Sequence, residues 1–295
     1  MKIKTTVLNQ LRRIFIFPAT EKILLRFVQG APLESRWTKV IPNHYQYPKP
    51  SWRRVSRFGL EFELDISDLV DWAVYFELRE KEQDKYFSMV RRDGTVLDVG
   101  ANIGSTVMRF ARAVGSGGRV IGFEPDGMNF ARCKKNVEIN GLANVVLEPC
   151  ALGARNARLN LYRVCERNPG MNRILPESPA GKDYTQVPVV RMDDYIEESK
   201  IENVDAIKID VEGFELQVLQ GAAQTIDRFR PKIFLELSDQ NLREHGSSAA
   251  ALVGYLESKG AMIYLADTGL PIHAGTVLTD CKTEIICEFS SHPVA

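Results

Sequence analysis

From residue 95 onward the chain alternates short, nearly continuous apolar runs with stretches of helical spacing, and few architectures accept that rhythm. TVLDVG (95–100) is apolar up to an Asp and a Gly. IGSTVMRFARAVG (103–115) has helical spacing and stops on Gly115. RVIGFEP (119–125) is the second run, residues 127–140 the second helix, and NVVLEPCAL (144–152) the third run. AIKIDVEG (206–213) and PKIFLELS (231–238) follow, with FELQVLQGAAQTIDRF as one helix between them and another over 247–259. Strands that are apolar on both faces are covered on both faces. The pattern therefore predicts an α/β, Rossmann-like fold: a mainly parallel seven-stranded sheet with helices on both sides. AMIYLAD (261–267) and TEIICEF (283–289) are joined by a loop instead of a helix, which predicts a C-terminal antiparallel hairpin. The stretch 153–190 reads as irregular, with strand character around RLNLYRV and QVPVV.

The segment ahead of this rhythm differs in charge. Residues 1–60 hold twelve Lys/Arg against two Glu, although the whole chain is balanced at 38 against 38. We divide the chain into a basic extension (1–55), an entry segment (56–94) and the α/β domain (95–295). In the entry segment RFGLEFELDIS alternates as a strand or hairpin with Leu60, Phe62 and Leu64 on one face, and 68–90 carries one or two short helices. The basic arm is expected to be solvated or packed on the acidic main domain, with contact to an anionic membrane surface or another polyanion as the alternative. No nucleic-acid motif accompanies the charge, so no nucleic-acid partner is expected. No apolar run approaches the ~18–20 residues of a membrane span, and IFIF (14–17) ends at Pro18 with no small-residue cleavage site, so no secretory signal is expected. Cysteines 133, 150, 165, 281 and 287 form no CxxC pair and read as free thiols in a reducing compartment. A cytoplasmic protein is the expected setting, with a membrane-peripheral one as the alternative; the oligomeric state is left open.

In an open parallel sheet, ligands bind outside the carboxyl ends of the strands. At the first strand end stands D-x-G-x-N-x-G: Asp98, Gly100, Asn102 and Gly104. A dinucleotide site would want G-x-G-x-x-G, and an acid beside a pyrophosphate would repel it. An ammonium would be attracted, and S-adenosylmethionine carries an ammonium and no phosphate. Glu124, 26 residues on at the second strand end, is placed to accept hydrogen bonds from both hydroxyls of a ribose. Cys150, Ala151 and Leu152, at the end of the third run, are the expected lining for an adenine. The fourth run, AIKIDVEG, puts Lys208 and Asp210 on one strand face with Glu212 at the next alternate position. A lysine and two acids in an apolar run pair with one another or act on a substrate. Glu236, in IFLELS, is expected to meet Asp210 across neighbouring strands.

VLDVGANIG, VIGFEPD, ALG, VRMDDYI, IKIDVEGFELQVLQGA and IFLEL, in that order, resemble the FkbM family of S-adenosylmethionine-dependent methyltransferases. The resemblance covers roughly 57–240 and is strongest over 95–240; the ordered set with KIDVEG carries it. It implies a class I methyltransferase fold and methyl transfer to oxygen, on a hydroxyl of a sugar, glycan or natural-product acceptor. It also implies that Asp98, Gly100, Asn102 and Gly104 form the cofactor loop, that Glu124 is the ribose acid, and that Lys208, Asp210, Glu212 and Gly213 form the signature strand end. Asp210 is the first candidate base, with Glu212 and Glu236 behind it; Lys208 would hold Asp210 ionised or contact the substrate. No metal ligands are assigned, although a Mg2+ ion clamped by Asp210, Glu236 and substrate oxygens fits the chemistry of hard cations. His245, after the fifth strand, is an alternative base. Acceptor recognition is expected from 153–190, with Asn168, Met171, Asn172, Arg173 and Tyr184, and from 267–282. Two rival readings are a non-catalytic S-adenosylmethionine-binding or membrane-surface scaffold, which has no use for Lys208, Asp210 and Glu212, and a nicotinamide-dependent oxidoreductase, disfavoured by the loop spacing.

Overall fold

The computed structural model describes residues 2–28, 37–78, 81–163, 172–175 and 183–290. They fall into two compact units, one within residues 1–80 and one from residue 81 onward, so the division lies inside the segment 56–94. The first unit contains helices α1 (Lys2–Arg13) and α2 (Pro18–Val28), strands β1 (Trp52–Arg57) and β2 (Leu60–Asp65), and helix α3 (Leu69–Tyr75). β1 and β2 form an antiparallel hairpin closed at Arg57↔Leu60. Phe58 and Gly59 at its tip both have positive φ, 53° and 70°, as a two-residue loop matched to strand twist requires. Leu60, Phe62 and Leu64 are all buried, as their alternation predicts. Asp68 caps α3 by accepting from the backbone of Val70 and Asp71.

The second unit opens with α4 (Lys81–Met89) and then follows the predicted alternation: β3 (Thr95–Val99), α5 (Ser105–Val114), β4 (Arg119–Phe123), α6 (Gly127–Ile139) and β5 (Val145–Glu148). The chain next makes β6 (Ala151–Leu152), β7 (Ala157–Tyr162), β8 (Arg173–Ile174) and β9 (Tyr184–Val190). It continues through α7 (Met192–Glu198), β10 (Ala206–Ile209), α8 (Glu215–Gly221), α9 (Ala223–Phe229), β11 (Lys232–Ser238), α10 (Asp239–Glu244) and α11 (Ala249–Ser258). It closes with β12 (Ala261–Leu265), β13 (Pro271–Ile272) and β14 (Lys282–Phe289).

The main sheet has the order β13-β12-β14-β11-β10-β3-β4-β5. The five strands from β11 to β5 are parallel. β14 inserts between β11 and β12, antiparallel to both, so the predicted C-terminal hairpin is present at one side of the sheet. Seven of the strands are the seven predicted; the eighth, β13, is a two-residue addition on β12 within the joining loop. Strand order reverses at β3 and β10, which places the ligand crevice at their carboxyl ends. A core of Leu97, Val99, Ile121, Ile207, Ile209, Ile233 and Leu235 with Val218, Leu219, Leu252 and Leu256 from the helices holds this sheet.

Two local expectations are corrected and a third is sharpened. The third run, 144–152, is not one strand: β5 ends at Glu148, and Ala151–Leu152 leave to pair with Val189–Val190. The strand character expected around RLNLYRV and QVPVV is present as β7 and β9, and the described residues there form a second sheet of order β6-β9-β7-β8, with a small core of Ala151, Leu161, Ile174, Val187 and Val189. The single helix expected after β10 is two, α8 and α9, separated at Ala222.

Candidate active site

The parallel register sets Lys208 of β10 directly beside Asp98 of β3. Asp98 is fully buried, and Lys208 nearly so. The Lys208 ammonium lies 3.5 Å from Asp98 Oδ1, 3.2 Å from Asp210 Oδ2 and 3.4 Å from the Gly100 carbonyl oxygen. Thr106, in the first turn of α5, donates its hydroxyl to Asp98 Oδ2. Burial pushes the Asp98 carboxyl up, and Lys208 and Thr106 oppose that push. Burial alone would lower the Lys208 ammonium, but Asp210 and Asp98 outweigh it and hold Lys208 well above its ordinary value. Lys208 is thus a fixed cation shared by two aspartates, one sealed inside and one exposed at the strand end.

From its position in the sequence, Asp98 is expected to face a ligand's ammonium group. The structure instead seals it from solvent and gives it partners within the chain. The lean loop also has an internal cause. Gly100 has φ 88°, and a Cβ there would sit 2.0 Å from the Asp210 carbonyl oxygen; a Cβ on Gly104 would sit 2.8 Å from Cys133 Sγ. These glycines let loop 100–104 lie flat against the end of β10 and against α6.

Glu124 is buried, with each oxygen holding one backbone donor: Oε2 accepts from Asn102 at 2.7 Å and Oε1 from Asp126 at 2.9 Å. Burial pushes its carboxyl up to about 7 against those two bonds. Each oxygen keeps a second lone pair for another donor. Glu124 thus clamps the loop and orients Asn102, which is held at φ 50°. The Asn102 Oδ1 is buried and has no hydrogen-bond partner among the described residues.

β10 ends at Ile209, so the strand does not persist to Glu212 as the alternating pattern requires. Glu212 instead has φ 53° and accepts from Asn241 Nδ2 at 2.9 Å. Burial first, then Asp210 and Glu236, push its carboxyl up to about 7. Glu236 follows Leu235, the register partner of Ile209, and its Oε1 lies 3.0 Å from Lys282 Nζ. Cys150, Ala151 and Leu152 are buried, Cys150 and Leu152 in the main core and Ala151 in the second sheet's core. Burial pushes the Cys150 thiol up to about 12.

Two further acids are not singled out by the sequence pattern. Glu215 is buried and accepts from Gly213 N at 3.0 Å and Val211 N at 3.4 Å, closing the turn that carries Asp210 and Glu212. Its signal was an acid in the first turn of a helix. Glu284 of β14 accepts from the Tyr86 hydroxyl at 2.6 Å and is pushed up to about 7 by burial and then by Asp210 and Glu236. His245 has Nδ1 3.0 Å from the Asn241 carbonyl and Nε2 against the Ile174 carbonyl, so neither nitrogen faces an acceptor's proton. Residues 172–174 cross this edge: Asn172 donates to Asp126 Oδ2 at 3.2 Å, and Arg173 pairs with Glu244 at 2.8 Å. The second sheet is thereby tied on both sides of the β3 and β10 ends. Tyr184 is exposed at the start of β9; Asn168 and Met171 lie outside the described residues. Among the described residues no three His, Cys, Asp or Glu side chains are gathered to hold a metal ion, and no helix is long and apolar enough to cross a membrane.

The model of the methyltransferase FkbM domain matches residues 98–262, from the sealed aspartate of β3 to β12. The chain belongs to the FkbM methyltransferase family. The 2-O-methyltransferase NoeI of Sinorhizobium fredii is 30% identical over 179 residues, 56% of this chain and 72% of that protein. Methyltransferase 1 of Beauveria bassiana is 28% identical over 189 residues, 57% of this chain and 72% of that protein. A crystal structure of methyltransferase FkbM from Methylobacillus flagellatus KT matches at TM-score 0.45 and 20% identity, over 72% of this chain and 49% of that one, so this chain spans about half its length. FkbM membership, together with the sheet order above, makes the second unit a class I methyltransferase fold and removes the oxidoreductase reading.

Proposed function

We propose that this FkbM-family protein transfers a methyl group from S-adenosylmethionine to a hydroxyl oxygen of a sugar, glycan or natural-product acceptor. The observation that carries the reading is the Asp98–Lys208–Asp210 arrangement at the switch point, with Asp98 sealed, Lys208 shared and Asp210 exposed. S-adenosylmethionine supplies an electrophilic methyl on a sulfonium. The loop fits such a ligand: Glu124 keeps one lone pair per oxygen for ribose hydroxyls, and buried Asn102 Oδ1 has no donor among the described residues. Asn102 and Glu124 are the residues that would hold the nucleoside end, with Gly100 and Gly104 setting the loop's path. Asp98 acts through Lys208, as the buried anion that fixes the ammonium in place.

The acceptor's hydroxyl proton must leave as the new bond forms. Asp210 is the exposed carboxylate at the strand end and takes that proton; Lys208, fixed at 3.2 Å, stabilises the anion before transfer. Glu212, pushed up to about 7, stands next in the same turn and relays the proton outward. Asn172 and Arg173, on the segment that crosses the strand ends, would limit water and contact the acceptor. That the relative NoeI is named a 2-O-methyltransferase supports oxygen as the methyl's destination. Asp210→Asn tests this directly. Turnover on a glycan acceptor library, read as a mass gain of one CH2, should fall by about 10²–10⁴-fold while S-adenosylhomocysteine binding persists. Unchanged turnover removes Asp210 as the base; turnover absent in the unmodified protein on every hydroxyl acceptor favours the scaffold reading.

A further inference from the structure

Helix α2 buries Glu21, Leu24 and Val28. Its opposite face inverts ordinary amphipathicity. Ile23 and Phe27, one turn apart, are each 54% exposed, with Lys22 and Arg26 exposed beside them. The last turn of α1 and the link to α2 add Leu11 at 48%, Ile14 at 52% and Phe17 at 64%, next to exposed Arg13. Trp37, 52% exposed, stacks on Phe27 with ring centroids 5.1 Å apart. Single exposed apolar residues are ordinary; six large ones within one short stretch of a small unit mark a contact surface.

Charge decides what covers it. Residues 1–60 carry twelve Lys/Arg and two Glu, and one of those, Glu21, is buried in a two-point contact with Arg53 at 2.8 and 3.0 Å. It screens none of the surface cations. A second copy of this chain would set like charge against like charge in a self-complementary contact. A polynucleotide would engage the cations but leave Leu11, Ile14 and Ile23 in water, where stacking offers them nothing. An anionic bilayer takes both: its headgroups meet Lys and Arg, its acyl boundary takes the aliphatic side chains, and Phe and Trp sit at the level between. We propose that the face made by Leu11, Ile14, Phe17, Ile23, Phe27 and Trp37 docks the protein onto an anionic lipid surface. The proposal goes beyond the methyl-transfer reading and stands without it.

The test uses the full chain with vesicles of phosphatidylcholine alone and of phosphatidylcholine with phosphatidylserine. Co-sedimentation should occur with the second only and should weaken with salt. Brominated acyl chains should quench tryptophan emission, and Trp37→Phe should remove most of that quenching. Phe17→Ser with Ile23→Ser, both exposed positions, should weaken vesicle binding about tenfold or more per side chain with the circular dichroism spectrum and S-adenosylhomocysteine binding unchanged. No binding to anionic vesicles overturns the proposal. So does binding that the double substitution leaves intact and that an RNA homopolymer competes away, which is a plain polyanion contact. A concentration-dependent dimer in solution that the double substitution abolishes assigns the face to a second copy instead.

Discussion

Replacing Lys208 with methionine removes the cation that two aspartates share while keeping the length and most of the bulk of the side chain. Asp98, fully buried, then keeps its charge with only the Thr106 hydroxyl to answer it. Breaking a buried ion pair from one side costs about 3–5 kcal/mol. Asp98 can escape that cost by taking up a proton. Its folded carboxyl is already raised by burial, and losing Lys208 raises it further. A carboxyl raised in the folded state contributes stability that is full below its unfolded value, about 3.9, and that is lost as pH rises through the folded value. The deficit of Lys208→Met should therefore be small near pH ~4 and approach its full ~3–5 kcal/mol near pH ~8. Lys208 contributes no slope of its own there, since its raised ammonium stays charged throughout this range. Urea unfolding of both proteins at the two pH values measures this. Adding Asp98→Asn to the variant should return about half or more of the loss at the higher pH, because the uncompensated charge is gone. A deficit independent of pH, or one that Asp98→Asn deepens, would refute the argument that Lys208 neutralises a sealed carboxylate.

Other consequences are open to equally simple measurement. Gly100→Ala must move loop 100–104 away from the Asp210 carbonyl and hold a Cβ at positive φ. It should lower unfolding free energy by about 2–5 kcal/mol in denaturant titration and weaken S-adenosylhomocysteine binding with it. Glu124, Glu212, Glu215 and Glu284 are all pushed up to about 7, chiefly by burial. Raised carboxyls stabilise at low pH and lose that contribution as pH rises through the folded value, so the ligand-free protein should lose stability between pH ~5 and ~8, read as a falling unfolding midpoint. Tyr86→Phe strips the hydroxyl from Glu284 and should cost about 1–3 kcal/mol in the same assay.

The main sheet was legible because parallel strands covered on both faces read as unbroken apolar runs, and Asp98, Glu124 and Lys208 stand out at their ends. What escaped depends on contacts remote in sequence. Nothing in NVVLEPCAL says that Ala151–Leu152 will pair with Val189–Val190, since a two-residue strand has no periodicity to read. Gly100 looks like room for a ligand until the Asp210 carbonyl is placed against it from far along the chain. The alternating pattern sets Glu236 beside Asp210 but does not show that β14 inserts beside β11 and brings Lys282 to Glu236. Glu284 was hidden for the same reason. The motifs mark the strand ends at the switch point; which acid pairs with which needed the register.

Loop 100–104 with Glu124 is proposed to hold the nucleoside part of S-adenosylmethionine. Calorimetric titration of the purified protein with S-adenosylhomocysteine, with NAD as control, tests it most directly. Saturable one-site binding in the micromolar range, about −8 kcal/mol, lost in Glu124→Ala and absent for NAD, is the expected result. No heat with S-adenosylhomocysteine, or binding that Glu124→Ala leaves unchanged, would contradict it.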